Sequence, residues 1–219
     1  MLVNLNLRCV EASLHDQARE AFADGDGPAF VYLACGGRLQ VIVDNLRPLK
    51  ERGIYEQSLL TAFTCCKANH HEWSDDWMDL LFGHADPTRL REAGEPLPGT
   101  GPFVLYRGVS GTGRARRLRG YSWTDSLDIA CWFAIRFPWL SSPAVLKATV
   151  PAERVLAYVS DRGEQEFLCK PRKSIRLKMT REEITERAKV HAESVREARE
   201  TLLAKLRTGT GCLDQHQEV

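Results

Sequence analysis

The segment YSWTDSLDIACWFAIRF, residues 121–137, decides the fold of this chain. Its first residues suit a short strand, and Ser126 then offers a side-chain oxygen that can cap a helix. The apolar run LDIACWFA, residues 127–134, predicts a helix that is buried over much of its surface. A strand that turns directly into such a helix predicts helices packed on a sheet.

Further strands are predicted on both sides of this segment. The β-rich runs are FVLYRGV (103–109), AVLKATVP (144–151), RVLAYVS (154–160) and QEFLCKP (165–171). All of them follow GEPLPGTGPF, residues 94–103, which is rich in glycine and proline and is the best boundary in the chain. We therefore predict an α+β fold with its core at residues 100–178.

The flanking segments are predicted to be helical. Residues 1–99 form a mostly helical segment packed on the core, with helix ends at Gly25 and near Gly53, although Gly36 and Gly37 could turn a hairpin between two apolar runs. Residues 179–219 begin with a capping box, Thr180 and Glu183, and continue as an amphipathic helix of about 28 residues with an alanine-rich stripe. This helix is expected to pack on its own domain; pairing with a partner protein is the alternative.

Composition is typical of a globular protein. The 219 residues are 43% hydrophobic and 27% charged. No apolar run is long enough to predict a transmembrane helix, and the N-terminus has no signal-peptide pattern. The seven cysteines are irregularly spaced, which favours reduced thiols. We expect a cytoplasmic protein without membrane association.

Charge is distributed unevenly along the chain. Residues 1–99 carry 9 basic and 15 acidic residues, whereas residues 100–178 carry 14 basic and 6 acidic residues. The basic segment favours an anionic ligand, such as a dinucleotide phosphate or nucleic acid. The alternative is that the acidic first segment docks on the basic second one.

Two motifs resemble known ligand-binding patterns, one for phosphate and one for a metal ion, but neither satisfies the requirements of its pattern. GVSGTGRA, residues 108–115, has the glycine spacing of a phosphate loop, but Arg114 and Ala115 stand where lysine and a hydroxyl residue are needed. CCKANHH, residues 65–71, offers two Cys and two His as candidate metal ligands. Adjacent residues on a helix point about 100° apart, so it is hard for all four side chains to surround one metal ion tetrahedrally. We predict no metal site.

Three short motifs in the basic segment are the candidates for chemistry. Arg107 and Gly108 end one predicted strand, Ser122 and Thr124 end the next before a helix, and a Glu-x-Glu pair opens a later strand at residues 164–166. Residues i and i+2 of a strand share a face, so both carboxylates are expected on one side. Each motif alone is common in proteins without such a site.

Together and in this order, the three motifs resemble the R-S-E class of ADP-ribosyltransferases. In that family an Arg strand, a Ser-Thr-Ser-like strand that leads into a helix and a Glu-x-Glu strand follow one another. The resemblance covers roughly residues 100–178 and implies a split β-sandwich core. It also implies mono-ADP-ribosyl transfer from NAD, which is a substrate, with release of nicotinamide.

The resemblance implies a role for each residue. Glu166 would stabilise positive charge on the ribose and bind its 2′-hydroxyl. Arg107 would hold NAD phosphates or ribose, and Gly108 would let the backbone approach nicotinamide. Ser122 would orient Glu166 and the ribose, and Thr124 would support the strand end. An aromatic ring would stack on nicotinamide; we expect Phe133 first and Trp132 second, although either could simply be core.

The acceptor is less closely defined. Glu164 lies where the family has Glu for arginine acceptors, so protein arginine is favoured. Four arginines in GRARRLRG, residues 113–120, could grip NAD phosphate, a nucleic-acid backbone or acidic side chains, and RNA or DNA is the alternative acceptor. Aromatic residues do not alternate with these arginines, which weakens the nucleic-acid interpretation.

The pattern departs from the family in two respects. The middle motif has the bulky Trp123 at its centre, which we expect to point into the core. Only 15 positions separate Arg107 from Ser122, so additional elements between those strands are in doubt.

Three functional interpretations remain. The first is an intracellular toxin or effector that is a NAD-dependent ADP-ribosyltransferase, with an inhibitory partner protein as a possible companion. The second is a NAD glycohydrolase, which the same site would support with water as acceptor. The third is a non-catalytic interaction protein that uses its helical segments.

Overall fold

The computed structural model describes residues 4–65, 75–112, 120–160 and 165–207. Its helices are α1 (His15–Asp24), α2 (Gly27–Tyr32), α3 (Arg38–Asp44), α4 (Leu46–Arg52), α5 (Tyr55–Thr64), α6 (Asp75–His84), α7 (Pro87–Glu92), α8 (Leu127–Ile135) and α9 (Arg181–Arg207). Its strands are β1 (Phe103–Val109), β2 (Ser122–Thr124), β3 (Ala144–Val150), β4 (Val155–Val159), β5 (Glu166–Cys169) and β6 (Ile175–Arg176). The chain therefore combines a helical first half, an antiparallel sheet and a long final helix.

The six strands form one sheet in the order β4-β5-β2-β1-β3-β6, and all neighbours are antiparallel. Strands β3 and β4 have three strands between them, which in a flat sheet corresponds to about 19 Å. Residues 151–154, which include a 3-10 turn, join these two strands. Val150 at the end of β3 and Val155 at the start of β4 are five residue steps apart, so their Cα atoms lie at most about 17 Å from each other. This distance is shorter than the flat-sheet separation, so the sheet must coil.

The coiled sheet encloses an apolar core on its concave face. Leu105, Val109, Trp123 and Phe167 belong to this cluster, and the Leu105 and Phe167 side chains are fully buried. Alternation along the strands sends the intervening side chains to the opposite, convex face.

Helices cover the convex face in two groups. Helices α8 and α9 pack together beside β1 and β3, where Ala130, Ala134, Val145 and Ile184 are buried in one cluster. The N-terminal helices form the largest cluster, which also includes Tyr121, Ala157 and Leu168 of the β-rich part of the chain. The N-terminal segment thus shares a core with the sheet.

Several predicted helix ends are found in the structure. Helices α1 and α4 end at Gly25 and Gly53, both in the left-handed conformation. Residues 35–37 form a 3-10 turn between helices, so the hairpin alternative is wrong. The Thr180 hydroxyl accepts from the Glu183 amide, and the Glu183 carboxylate accepts from the Thr180 amide, which confirms the predicted capping box.

Helix α9 packs on the domain only along its first part. Ile184 and Ala188 are buried, whereas Val190, Val195 and Leu203 are exposed. The expectation of packing thus holds as far as Ala188, whereas the stripe residues Ala192, Val195 and Ala198 are exposed. No helix among the described residues is both long enough and apolar enough to cross a bilayer.

Candidate functional site

The three predicted motifs occupy three neighbouring strands. Arg107 lies in β1, Ser122 and Thr124 bound β2, and Glu166 opens β5; these strands are consecutive in the sheet as β5-β2-β1. Thr124 pairs with Tyr106 on one side and with Glu166 on the other. The fold therefore gathers segments that are up to 59 positions apart in the sequence.

Arg107 lies where β1 and β2 begin to diverge. These strands pair at Tyr106 and Thr124 alone, whereas β1 and β3 pair along the whole of β1. Beyond that pair, the Arg107 guanidinium donates from Nη1 to the carbonyl oxygen of Ser122 at 2.6 Å. A side chain thus links the strands where regular main-chain pairing has stopped.

Alternation places the site residues on two faces. Tyr106 packs with the α8–α9 cluster, and its cross-strand partners Thr124 and Glu166 share its face. Arg107 leaves β1 between Leu105 and Val109, which belong to the concave cluster. Ser122, Thr124 and Glu166 are therefore on the convex side, and Arg107 starts from the concave side and reaches into the gap between β1 and β2.

Thr124 and Ser126 organise the turn from β2 into α8. The Thr124 hydroxyl accepts from the Ser126 amide at 3.1 Å, and the Ser126 hydroxyl accepts from the Ile129 amide at 3.3 Å. Ser126 is thus the predicted N-cap. Thr124 is almost completely buried, while Ser122 and Glu166 are half-buried.

Gly108 has a packing role that the sequence analysis did not foresee. A Cβ atom there would lie 2.0 Å from the Ala130 carbonyl oxygen and 2.5 Å from the Ala134 nitrogen. Both are backbone atoms of α8, so only glycine lets this helix lie so close to β1. The side of Gly108 that was expected to admit nicotinamide is occupied by α8.

The aromatic residues have the following positions. Trp123 is 2% exposed and donates from Nε1 to the Gly120 carbonyl, which confirms that it points into the core. Phe133 is half-buried and meets Trp132 edge to face at 5.0 Å between ring centroids. Trp132 also contacts His191 of α9. The rings of both candidate stacking residues thus already have neighbours within the protein.

Some predicted residues lie outside the described part of the chain. Glu164 is one of them, as are the four arginines at 114, 116, 117 and 119 and most of the CCKANHH segment. Within the described ranges, no group of three or more His, Cys, Asp or Glu residues is placed to hold a metal ion.

Two acidic residues near the end of β2 were missed from the sequence. Asp125 follows Thr124 directly, and desolvation raises its pKa. Burial raises the pKa of Tyr158, and the nearby charges of Asp125 and Glu95 raise it further. The Glu95 carboxylate accepts from the Ser160 amide at 2.8 Å and from its hydroxyl at 2.5 Å. The only sequence signal for this group was the Asp after the Ser-x-Thr motif.

A groove lies elsewhere on the convex side. It has a volume of about 920 Å³ and runs between the start of α8 and α9, where Asp128, Lys178, Glu182 and Arg187 contribute to its walls. Its lining includes neither Arg107 nor Glu166. The groove is therefore distinct from the predicted site.

Comparison with known proteins adds no relative: no protein-family model, curated protein or solved structure matches this chain.

Proposed function

We propose that this protein is a NAD-dependent mono-ADP-ribosyltransferase that acts on a macromolecule. The observation that carries the proposal is the order β5-β2-β1, which gives neighbouring positions to the Glu, Ser-x-Thr and Arg motifs. Direct contacts support it, because Arg107 binds the Ser122 backbone and Thr124 pairs with Glu166. The family's split β-sandwich also belongs to the proposal, supported by the divergence of β1 from β2.

The proposed reaction is a substitution at the nicotinamide ribose. The bond between C1′ and the nicotinamide nitrogen breaks, and nicotinamide leaves with the bonding electron pair. The acceptor nucleophile then forms a bond to C1′ and gives up a proton. Positive charge develops on the ribose in between, so a nearby carboxylate stabilises the transition state more than the ground state.

Glu166 is the residue proposed to supply that carboxylate. It is half-buried at the start of β5, so its charge is less screened than that of a fully exposed acid. Its cross-strand partner Thr124 is held by the turn into α8, which fixes the backbone around the carboxylate. Ser122 lies two positions before Thr124 in β2 and on the same face of the sheet as Glu166. It is the residue proposed to orient the ribose.

Arg107 is proposed to bind the phosphates from the gap between β1 and β2. Its guanidinium is a planar donor with five N–H groups, of which Nη1 donates to Ser122. Since Arg107 and Glu166 leave the sheet on opposite faces, the dinucleotide would have to extend around the end of β2. Glycine at 120 fits this arrangement, since a Cβ there would lie 2.0 Å from Arg107 Nη2.

The test is an assay of nicotinamide release from NAD by the purified protein, with and without a cell lysate as a source of acceptors. We expect Glu166→Gln to abolish release, while Glu153→Gln, which alters an exposed acid in the link between β3 and β4, leaves release unchanged. Transfer of label from NAD to a macromolecule supports the proposal. Release without any labelled acceptor would identify a glycohydrolase instead, and absence of release would exclude both enzymes.

A further inference from the structure

An arginine lies among aromatic rings at the C-terminal end of α8. The Arg136 guanidinium carbon is 5.4 Å from the ring centroid of Trp132, 5.6 Å from that of Phe133 and 5.4 Å from that of Phe137. Cation–π contacts of this kind keep the guanidinium close to the rings without removing its charge. Arg136 is therefore at the centre of an aromatic cluster.

Trp139 extends this cluster to the surface. Its side chain is 75% exposed, the largest value among the exposed large hydrophobic residues of the described chain. Its ring lies 5.2 Å from that of Phe137 at an angle of 45°. An exposed tryptophan beside a half-buried phenylalanine presents aromatic surface to the solvent, where a flat ligand could stack. We call Arg136, Phe137 and Trp139 the aromatic platform.

The aromatic platform lies at the same end of the sheet as the Arg107 guanidinium. Helix α8 starts at the turn after Thr124 and runs back along β1, with Ala130 and Ala134 against Gly108. The segment after α8 then meets the end of β1, where the Gly111 amide donates to the Ser141 carbonyl at 2.6 Å. A molecule on the platform would thus approach the predicted site from the β1 end.

We propose that the aromatic platform binds single-stranded nucleic acid, which makes nucleic acid the acceptor class. The acceptor part of this inference rests on the proposed function; the binding part does not. Bases of every type present a π-face that stacks on exposed aromatic side chains, and a neighbouring arginine can both stack and approach the phosphates. Residues 100–178, to which the platform belongs, carry a net charge of +8, which favours a polyanion.

The aromatic platform places aromatic rings beside an arginine, a combination that the arginine-rich segment 113–120 does not have. The arginines at 114, 116, 117 and 119 have no aromatic residues between them, so they gave no stacking signal. In the folded chain Arg136 brings a cation to the rings of Trp132, Phe133 and Phe137, and the Phe137 ring in turn contacts that of Trp139. A protein partner would also bury Trp139, but it would not require a surface charge of one sign.

The binding test measures fluorescence anisotropy of labelled 12-nucleotide RNA and DNA single strands at several salt concentrations. We expect Trp139→Ala to weaken binding about fivefold or more, which is the range for loss of one base–aromatic stack. Arg136→Lys keeps the charge but loses the planar group and should weaken binding as well. Trp77→Ala is the matched control, because Trp77 is another exposed tryptophan, on α6.

The outcomes separate this inference from the proposed function. The binding assay contains no NAD, so it tests the aromatic platform without testing the proposed enzyme activity. Binding of the strand that weakens with added salt, weakens in Trp139→Ala and is kept in Glu166→Gln supports the platform as a nucleic-acid site. Absence of binding, an equal loss in Trp77→Ala, or self-association that depends on Trp139 would overturn it. Label transferred from NAD to the bound strand would then support the acceptor class, and label found only on protein would contradict it.

Discussion

Arg107 donates from Nη1 to the carbonyl oxygen of Ser122 at 2.6 Å, so a side chain links the first two segments of the predicted site. The strands that carry these residues pair at one position only. A lysine lacks the planar fork and ends in a compact, strongly hydrated ammonium group. The geometry between β1 and β2 therefore depends on arginine as well as on positive charge.

We expect Arg107→Lys to lower the rate of nicotinamide release at least tenfold. The reason is that the bond to Ser122 and the planar phosphate donor are lost together, and one well-placed charged hydrogen bond is worth about 1.5–3 kcal/mol. Steady-state measurement of release checks this. Arg154→Lys changes an exposed arginine before β4 and serves as the control; an equal effect in both variants would contradict the assigned role.

The substitution Gly108→Ala is expected to destabilise the fold. The new Cβ would lie 2.0 Å from the Ala130 carbonyl oxygen, so α8 has to move away from β1. Overpacking of this kind costs about 1–3 kcal/mol, occasionally more. Urea unfolding measures the loss. Gly36→Ala has no neighbouring atom within 4 Å of its new Cβ and should leave the unfolding midpoint almost unchanged.

By contrast, Gly120→Ala is expected to affect activity more than stability. Its Cβ would meet the guanidinium of Arg107, 2.0 Å from Nη2 and 2.3 Å from Cζ. The end of a long side chain can move where a helix backbone cannot, so the fold survives and the arginine shifts. A loss of nicotinamide release with a smaller fall in the unfolding midpoint than in Gly108→Ala is the expected pair of results. Unchanged release would show that the position of the guanidinium is unimportant.

Much of the secondary structure follows from the sequence. The capping box at Thr180, the glycines that end α1 and α4, the four β-rich runs and the short strand before Ser126 each rest on local chemistry, so they appear where the pattern predicts them. Gly36 and Gly37 were ambiguous, because glycine interrupts helices and hairpins alike. Packing of the surrounding helices decided in favour of a turn.

The arrangement of the site residues was less predictable. The motifs indicated that Arg107, Ser122 and Glu166 end or begin strands, and the sheet order brings those strands together. Which face each side chain takes depends on the register between strands that are distant in sequence, and no local pattern encodes that register. The contact between Gly108 and α8 could not be foreseen either, because it depends on how two segments more than 20 positions apart in the sequence pack together.

Two buried cysteines are expected to be unreactive in the folded protein. Burial raises the pKa of Cys131 to about 11 and that of Cys169 to about 12, so both remain thiols at pH 8. Thiol labelling followed by mass spectrometry should modify the exposed Cys35 and leave Cys131 and Cys169 unmodified until urea is added. Rapid labelling of Cys169 in the native state would contradict its burial beneath the concave face.

The contact between Glu95 and Ser160 predicts a pH-dependent contribution to stability. Hydrogen bonds from the Ser160 hydroxyl and amide lower the pKa of Glu95 below its ordinary value of about 4.3. The folded protein then binds fewer protons at this site than the unfolded chain does at pH values between the two pKa values. The stabilisation is therefore complete above the unfolded pKa and is lost as pH falls through the folded one.

We thus expect Glu95→Gln to lower the urea midpoint at pH 7 and the difference from wild type to shrink as pH falls below about 4. Because Glu95 lies on the surface, the difference should also decrease with added salt. Glu153→Gln, in which an acid outside this contact is changed, should show little difference at either pH. If the difference in urea midpoint between Glu95→Gln and wild type stayed constant from pH 7 to pH 3.5, the charge of the carboxylate would not contribute to stability. In that case the glutamine amide would accept from the Ser160 hydroxyl and amide less well than the carboxyl group does in either protonation state, and the loss would come from hydrogen bonding alone.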